Sequence, residues 1–183
     1  MSQISEIRNR SVQVLYSSAE IDSRVKALAR EIAAQMDENL LIAAVLKGSF
    51  VFAADLIRAL HQAGVKPQID FITLSSYKTG TESSGTIELK RDLGDDIAGR
   101  HVLLVDDILE SGRTIAFAKQ ALLDRGAAEV KLCVLLDKPG KRKTDIDAEF
   151  VGFKCEDKFV VGYGLDYAHY FRELPFIGVV EGT

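Results

Sequence analysis

Four apolar residues with no turn-former among them, Val102-Leu103-Leu104-Val105, run directly into two aspartates, Asp106-Asp107. A run of this kind suits a strand buried on both faces, as in a parallel sheet. Ile108 and Leu109 follow, then Glu110-Ser111-Gly112-Arg113-Thr114. Over residues 114–124 the apolar positions Ile115, Ala118 and Leu122 return at helical spacing. The stretch therefore predicts a strand with acids at its end, a small-residue loop and a helix. In an open α/β sheet, ligands bind in the crevice beyond the carboxyl ends of the strands. Here a ligand would meet a carboxylate shelf suited to hydroxyls or a metal ion. Beside it lies a loop at a helix start, suited to a phosphate.

The same alternation recurs along the chain. Residues 12–16 read as a strand. Ser17 and Glu20 then form an S-x-x-E capping box before a helix with Ile21, Val25, Leu28 and Ile32 on one face. Residues 39–46 make a buried strand ending at Lys47-Gly48-Ser49, followed by a helix over 50–62 with Gly64 as its left-handed stop. A strand at 69–74 leads into 75–85, where Ser, Thr and Gly abolish the periodicity. Residues 87–89 read as a short strand and 93–100 as a turn. Gly126 stops the helix that begins at 114, and 130–136 is the next buried strand. Strands alternating with long helices imply βαβ units and a parallel sheet with right-handed crossovers. After Asp137 the pattern changes: 150–164 is aromatic and strand-like, predicting a smaller lobe at the carboxyl edge of the sheet.

No repeat or Pro/Gly-rich linker interrupts the 183 residues, and 47% hydrophobic content is ample for one core, so one domain is expected over 1–183. Lys and Arg number 23 against 27 Asp and Glu, a net charge of −4 that argues against a nucleic-acid or anionic-membrane surface. Lys141-Arg142-Lys143 accordingly reads as a solvated charged turn. The longest apolar run, 40–46, is too short to cross a bilayer. Residues 1–10 are polar and charged, unlike a signal peptide, so a cytoplasmic protein is expected. Cys133 and Cys155 match no zinc or redox spacing.

The stretch 102–114 resembles the phosphoribosyl-pyrophosphate motif of the type I phosphoribosyltransferases: apolar residues, two acids, two apolar residues, an acid, Ser/Thr-Gly and a closing Thr. Three further segments extend the resemblance from Lys47 to Arg172, to the hypoxanthine-guanine phosphoribosyltransferases in particular. These are Leu46-Lys47-Gly48, Ser75-Ser76-Tyr77, and Lys138 with 157–174. The resemblance implies an α/β fold with a twisted, mainly parallel sheet flanked by helices and a small hood lobe, formed mainly by 137–183 with the N-terminal segment. It also implies an enzyme of purine salvage. Such an enzyme moves the phosphoribosyl group from phosphoribosyl pyrophosphate to a 6-oxopurine with magnesium, releasing pyrophosphate, and works as a homodimer or homotetramer.

The resemblance also implies roles for individual residues. Asp106 and Asp107 would meet the ribose hydroxyls or the metal. Ser111, Gly112, Arg113 and Thr114 would line the 5′-phosphate cradle with Glu110, Ile108 would bind substrate beside it, and Glu110 would act as general base at the purine N7. Lys47 and Gly48 would hold pyrophosphate beside a cis Leu46–Lys47 peptide bond. Ser76 and Tyr77 would belong to a lid that keeps water from a cationic ribosyl centre. Phe159 would stack on the purine, Lys138 would donate to its 6-oxo group, and the Val160 backbone would read the neighbouring edge. Asp166 would help hold magnesium, and Arg172 would bind pyrophosphate. The family usually has Glu-Asp where this chain has Asp106-Asp107, and Asp where it has Glu110. A regulator on the same fold, sensing nucleotide or phosphoribosyl pyrophosphate, is the alternative reading. It should show a basic face or an added nucleic-acid-binding segment.

Overall fold

The computed structural model describes residues 7, 10–36, 39–76 and 87–181. In chain order the first elements are Val12–Tyr16 (β1), Ser18–Ala33 (α1), Leu41–Leu46 (β2), Phe50–Gln62 (α2), Gln68–Ser76 (β3) and Ile87–Arg91 (β4). They are followed by His101–Leu109 (β5), Arg113–Asp124 (α3), Glu129–Asp137 (β6), Phe150–Lys154 (β7), Val160–Val161 (β8) and Ile177–Val180 (β9). Six strands form one sheet in the order β4-β3-β2-β5-β6-β7, parallel except where β4 runs against β3. A small antiparallel sheet has the order β1-β9-β8.

Local chemistry accounts for the helix ends. The Ser17 N–H donates to the Glu20 carboxylate at 2.8 Å, and the Glu20 N–H reaches back to Ser17 Oγ at 3.3 Å, closing the capping box. At the C-terminal end of α2, Gly64 has φ +90°. This lets the Gly64 and Val65 N–H groups satisfy the last carbonyls, of His61 and Leu60. The alternating faces of β5 feed two cores: Leu103 and Val105 pack with α1 and α2, and Val102 and Leu104 with α3. All four are fully buried, as a central parallel strand requires.

Four segments differ from the sequence expectation. β5 does not stop before the acids. It leaves β2 after Val105 but stays paired with β6 to Leu109, so Asp106 and Asp107 lie within the strand, just past the point where β2 turns away. Ser75 and Ser76 continue β3 and pair with β4 instead of opening a loop. Residues 150–154 join the large sheet as β7, parallel to β6, and are not part of the smaller lobe. β9, which had no sequence assignment, pairs with β1 from the other end of the chain.

Candidate active site

The 110–114 loop lies at the carboxyl edge of β5. Gly112 occupies the position before α3 with φ +79°, a conformation that disfavours any side chain. A cavity of about 450 Å³ opens above this edge. β5 and its loop line one side of it with Asp106, Asp107, Ile108, Glu110, Ser111, Gly112 and Thr114. Lys138, just past the end of β6, lines a second side, and Phe159, Val160 and Asp166 close the third. Segments distant in sequence thus converge on one crevice.

The two aspartates are the most perturbed groups in it. Asp106 is buried, and desolvation, then repulsion from Asp107, push its pKa well above the usual carboxylate range. Burial also raises Asp107, against the opposing pull of hydrogen bonds and of the Arg172 charge. The Asp107 N–H donates to Asp106 Oδ1 at 2.9 Å, and the Ile108 N–H to Asp107 Oδ1 at 2.8 Å. Such a pair favours either a proton or a cation. Among the described residues no group of three His, Cys, Asp or Glu could hold a metal by itself. The hard carboxylate oxygens of the pair fit magnesium, which typically takes one or two carboxylates and draws its remaining oxygens from water and substrate phosphate.

Lys138 is 6% exposed and donates from Nζ to the Lys158 carbonyl at 2.6 Å, which holds its ammonium at the cavity wall. Phe159 is 46% exposed, with its ring edge-on to Tyr167 at 5.1 Å. A buried cation thus stands near an uncovered aromatic face, a combination suited to a flat polar ring. Glu110 is about half exposed, and Lys141 Nζ lies 3.9 Å from its Oε1 and 2.9 Å from Asp157 Oδ1.

Lys47, Gly48, Ser76, Arg113 and Arg172 are not among the residues that line the cavity. Arg172 pairs with Asp166 at 2.6 Å and donates to the Gly164 carbonyl at 2.5 Å. Asp166 also accepts the His169 N–H at 2.8 Å. Gly48 lies against Asp107, and the Leu46–Lys47 peptide bond is cis. Lys47 is exposed, and Arg113 is exposed at the start of α3. Ser76 ends β3, whereas Tyr77 and the lid expectation lie outside the described residues.

Sequence reasoning missed two features. Tyr163, Ala168, His169 and Phe171 all have positive φ, around the segment that carries Asp166 and Arg172. Positive φ is uncommon for non-glycine residues, and such strained backbone tends to cluster at ligand clamps and switch regions. No composition signal announces it. The other is Arg142, which does not extend into solvent as the charged-turn expectation requires. Its side chain is 16% exposed and ion-paired to Asp137.

Residues 15–168 match the phosphoribosyl transferase domain family, and the chain belongs to that family. Within it, the chain is 44% identical to the hypoxanthine-guanine phosphoribosyltransferase of Aquifex aeolicus, over 96% of this chain and 98% of that protein. The crystal structure of a hypoxanthine-guanine phosphoribosyltransferase from Bacillus anthracis superposes with a TM-score of 0.87 at 44% identity, covering 93% of this chain and 99% of that one. A Trypanosoma cruzi hypoxanthine phosphoribosyl transferase, studied for the role of its C-terminal region in oligomeric state and activity, gives a TM-score of 0.87 at 37% identity. It covers 94% of this chain and 92% of its own.

Proposed function

We propose that the chain transfers the phosphoribosyl group of phosphoribosyl pyrophosphate to hypoxanthine or guanine, forming the purine nucleotide and pyrophosphate. The observation that carries this reading is the convergence of a carboxylate pair, a phosphate-type loop, a buried lysine and an open aromatic face on one cavity. Similarity to hypoxanthine-guanine phosphoribosyltransferases over nearly the whole chain supports it. No observation favours a regulator on the same fold.

Each group has a chemical task in this reaction. The 5′-phosphate sits on the 110–114 loop, where small side chains leave N–H groups reachable and α3 adds its positive end. Asp106 and Asp107 face the ribose, and the charge their pair retains favours the cation that develops at the ribosyl carbon. Glu110 takes or holds the proton on the purine N7. Lys138 donates to the 6-oxo group and rejects adenine, whose 6-amino group is itself a donor. Phe159 covers the ring, and the Val160 backbone reads its edge. Lys47, Gly48 and Arg172 receive the departing pyrophosphate.

One or two of Asp106, Asp107 and Asp166 would hold magnesium, with water and substrate phosphate completing its shell, and the ion when bound neutralises charge on the leaving group. The protein acts as one domain over 1–183 and assembles as a dimer or tetramer, in line with the C-terminal effect on oligomeric state studied in the Trypanosoma cruzi relative. Among the described residues no helix is long and apolar enough to cross a membrane.

The test is to mix protein, magnesium and phosphoribosyl pyrophosphate with hypoxanthine, guanine, xanthine or adenine and follow nucleotide formation. Turnover with hypoxanthine or guanine and none with adenine is expected. Absence of turnover with every 6-oxopurine would remove the assignment.

A further inference from the structure

We propose that Arg142 is a positioning residue that aims the 110–114 loop at the phosphate of phosphoribosyl pyrophosphate, an inference that rests on the function proposed above. The loop's carbonyls are held from behind by the segment after β6. Arg142 Nε donates to the Glu110 carbonyl at 3.1 Å, and its Nη2 donates to the Leu109 carbonyl at 3.4 Å. Nη1 donates to the Ile146 carbonyl, which closes the segment into a loop around the guanidinium. The Asp137 carboxylate neutralises the charge, and both side chains of that pair are largely buried. The Ser111 carbonyl is held by the same segment, through the Lys143 N–H at 2.9 Å and the Thr144 hydroxyl at 3.2 Å.

The consequence follows from peptide geometry. In a trans peptide the C=O of one residue and the N–H of the next point in opposite directions. Fixing the carbonyls of Leu109, Glu110 and Ser111 on the far side therefore turns the N–H groups of Glu110, Ser111 and Gly112 away from Arg142, toward the side that lines the cavity. Successive N–H groups aimed one way form an anion-binding concavity. Gly112 fits this packing closely. A Cβ there would stand 2.2 Å from Thr144 Oγ1 and 2.7 Å from Ile146 Cγ2, so the loop and its buttress leave no room for a side chain.

A lysine cannot replace this arrangement. The planar guanidinium presents donors in several fixed directions, whereas an ammonium is a single compact charge.

The test measures phosphoribosyl pyrophosphate binding by calorimetry with magnesium present, and KM for each substrate, in wild type, Arg142→Gln, Arg142→Lys and Thr144→Val. Arg142→Gln and Arg142→Lys should weaken binding of the sugar and raise its KM at least about tenfold, the scale of losses when an outer partner of a binding group is removed. The purine KM should move less than about threefold, and Thr144→Val should show a smaller change of the same kind. A purely structural role would lower the melting temperature and leave the affinity of the folded fraction unchanged, which overturns the proposal. Equal effects on both substrates overturn it too. Should Arg142→Gln fail to fold, unaltered sugar binding in both Arg142→Lys and Thr144→Val is the overturning result. A wild type that binds the sugar without turnover strikes the reaction assigned above, while the binding ratios still judge Arg142. A wild type that does not bind the sugar overturns both.

Discussion

The Asp107 carboxylate fills the space that a side chain on Gly48 would need: a Cβ built there lies 1.5 Å from Asp107 Oδ2. On its other side the Gly48 carbonyl stands 2.4 Å from where a Cβ on Gly164 would be. Backbone from the turn after β2 is thus sandwiched between a β5 carboxylate and the segment leading to Asp166. Gly48→Ala should leave the fold intact, because the obstructing atoms are the end of one side chain. It should displace Asp107 and lower kcat/KM about a hundredfold, roughly 2.7 kcal/mol of transition-state stabilisation. Steady-state kinetics beside a thermal melt checks this; kcat/KM within twofold of wild type would contradict it.

Glu110 stands where the family usually has aspartate, one methylene shorter. As general base it should contribute on the order of 10² to 10⁴ in rate. Glu110→Gln should therefore lower kcat by at least about a hundredfold with little change in the affinity for phosphoribosyl pyrophosphate. Glu110→Asp should keep most of the rate. Single-turnover kinetics separates chemistry from product release, and an unchanged rate in Glu110→Gln would remove the base role.

Lys138 is held by the Lys158 carbonyl and presents only donors. A glutamine there can donate or accept, so Lys138→Gln should narrow the preference for 6-oxopurines over adenine. Loss of about 10- to 100-fold in kcat/KM for hypoxanthine is expected, with adenine use rising. Competition assays with paired bases read the ratio. Undiminished rejection of adenine would mean that another group sets the specificity.

Much of the scaffold is readable in sequence because its signals are local. Ser17 and Glu20 are three residues apart and announce the start of α1, and α2 begins and ends where the periodicity and Gly64 predict. What escapes is decided by distant partners. β9 becomes a strand only because β1, from the opposite end of the chain, pairs with it. Phe150–Lys154 has the composition of the small lobe, but β6 offers it a parallel edge. The acid pair lies inside β5 because β6 continues to support the strand after β2 has left it. In the site, residues that line the cavity were legible by motif: Asp106, Asp107, Glu110, Lys138 and Phe159. Arg142 was not, since a basic triplet in an acidic chain looks solvated until Asp137 and the loop carbonyls are seen around it.

Asp70 makes a pH prediction away from the site. Its carboxylate accepts the Gly94 N–H at 2.8 Å and the Phe71 N–H at 2.7 Å, and these bonds, led by that of Gly94, hold its pKa below the usual aspartate value. A depressed folded-state pKa adds stability above the unfolded value, near 3.9, and that stability is lost as pH falls through the lower folded one. Asp70→Asn should therefore be less stable than wild type at neutral pH, and the gap should close below about pH 4. Denaturant melts across that range check the sign; a gap that widens in acid would contradict it.

In the proposed complex the sugar's 5′-phosphate rests on the 110–114 loop with its diol against Asp106 and Asp107. A crystal structure with phosphoribosyl pyrophosphate and magnesium soaked in should show phosphate density within hydrogen-bonding distance of the loop N–H groups and the ribose hydroxyls beside the two aspartates. Density for the sugar elsewhere on the molecule, with that crevice closed to it, would refute this placement.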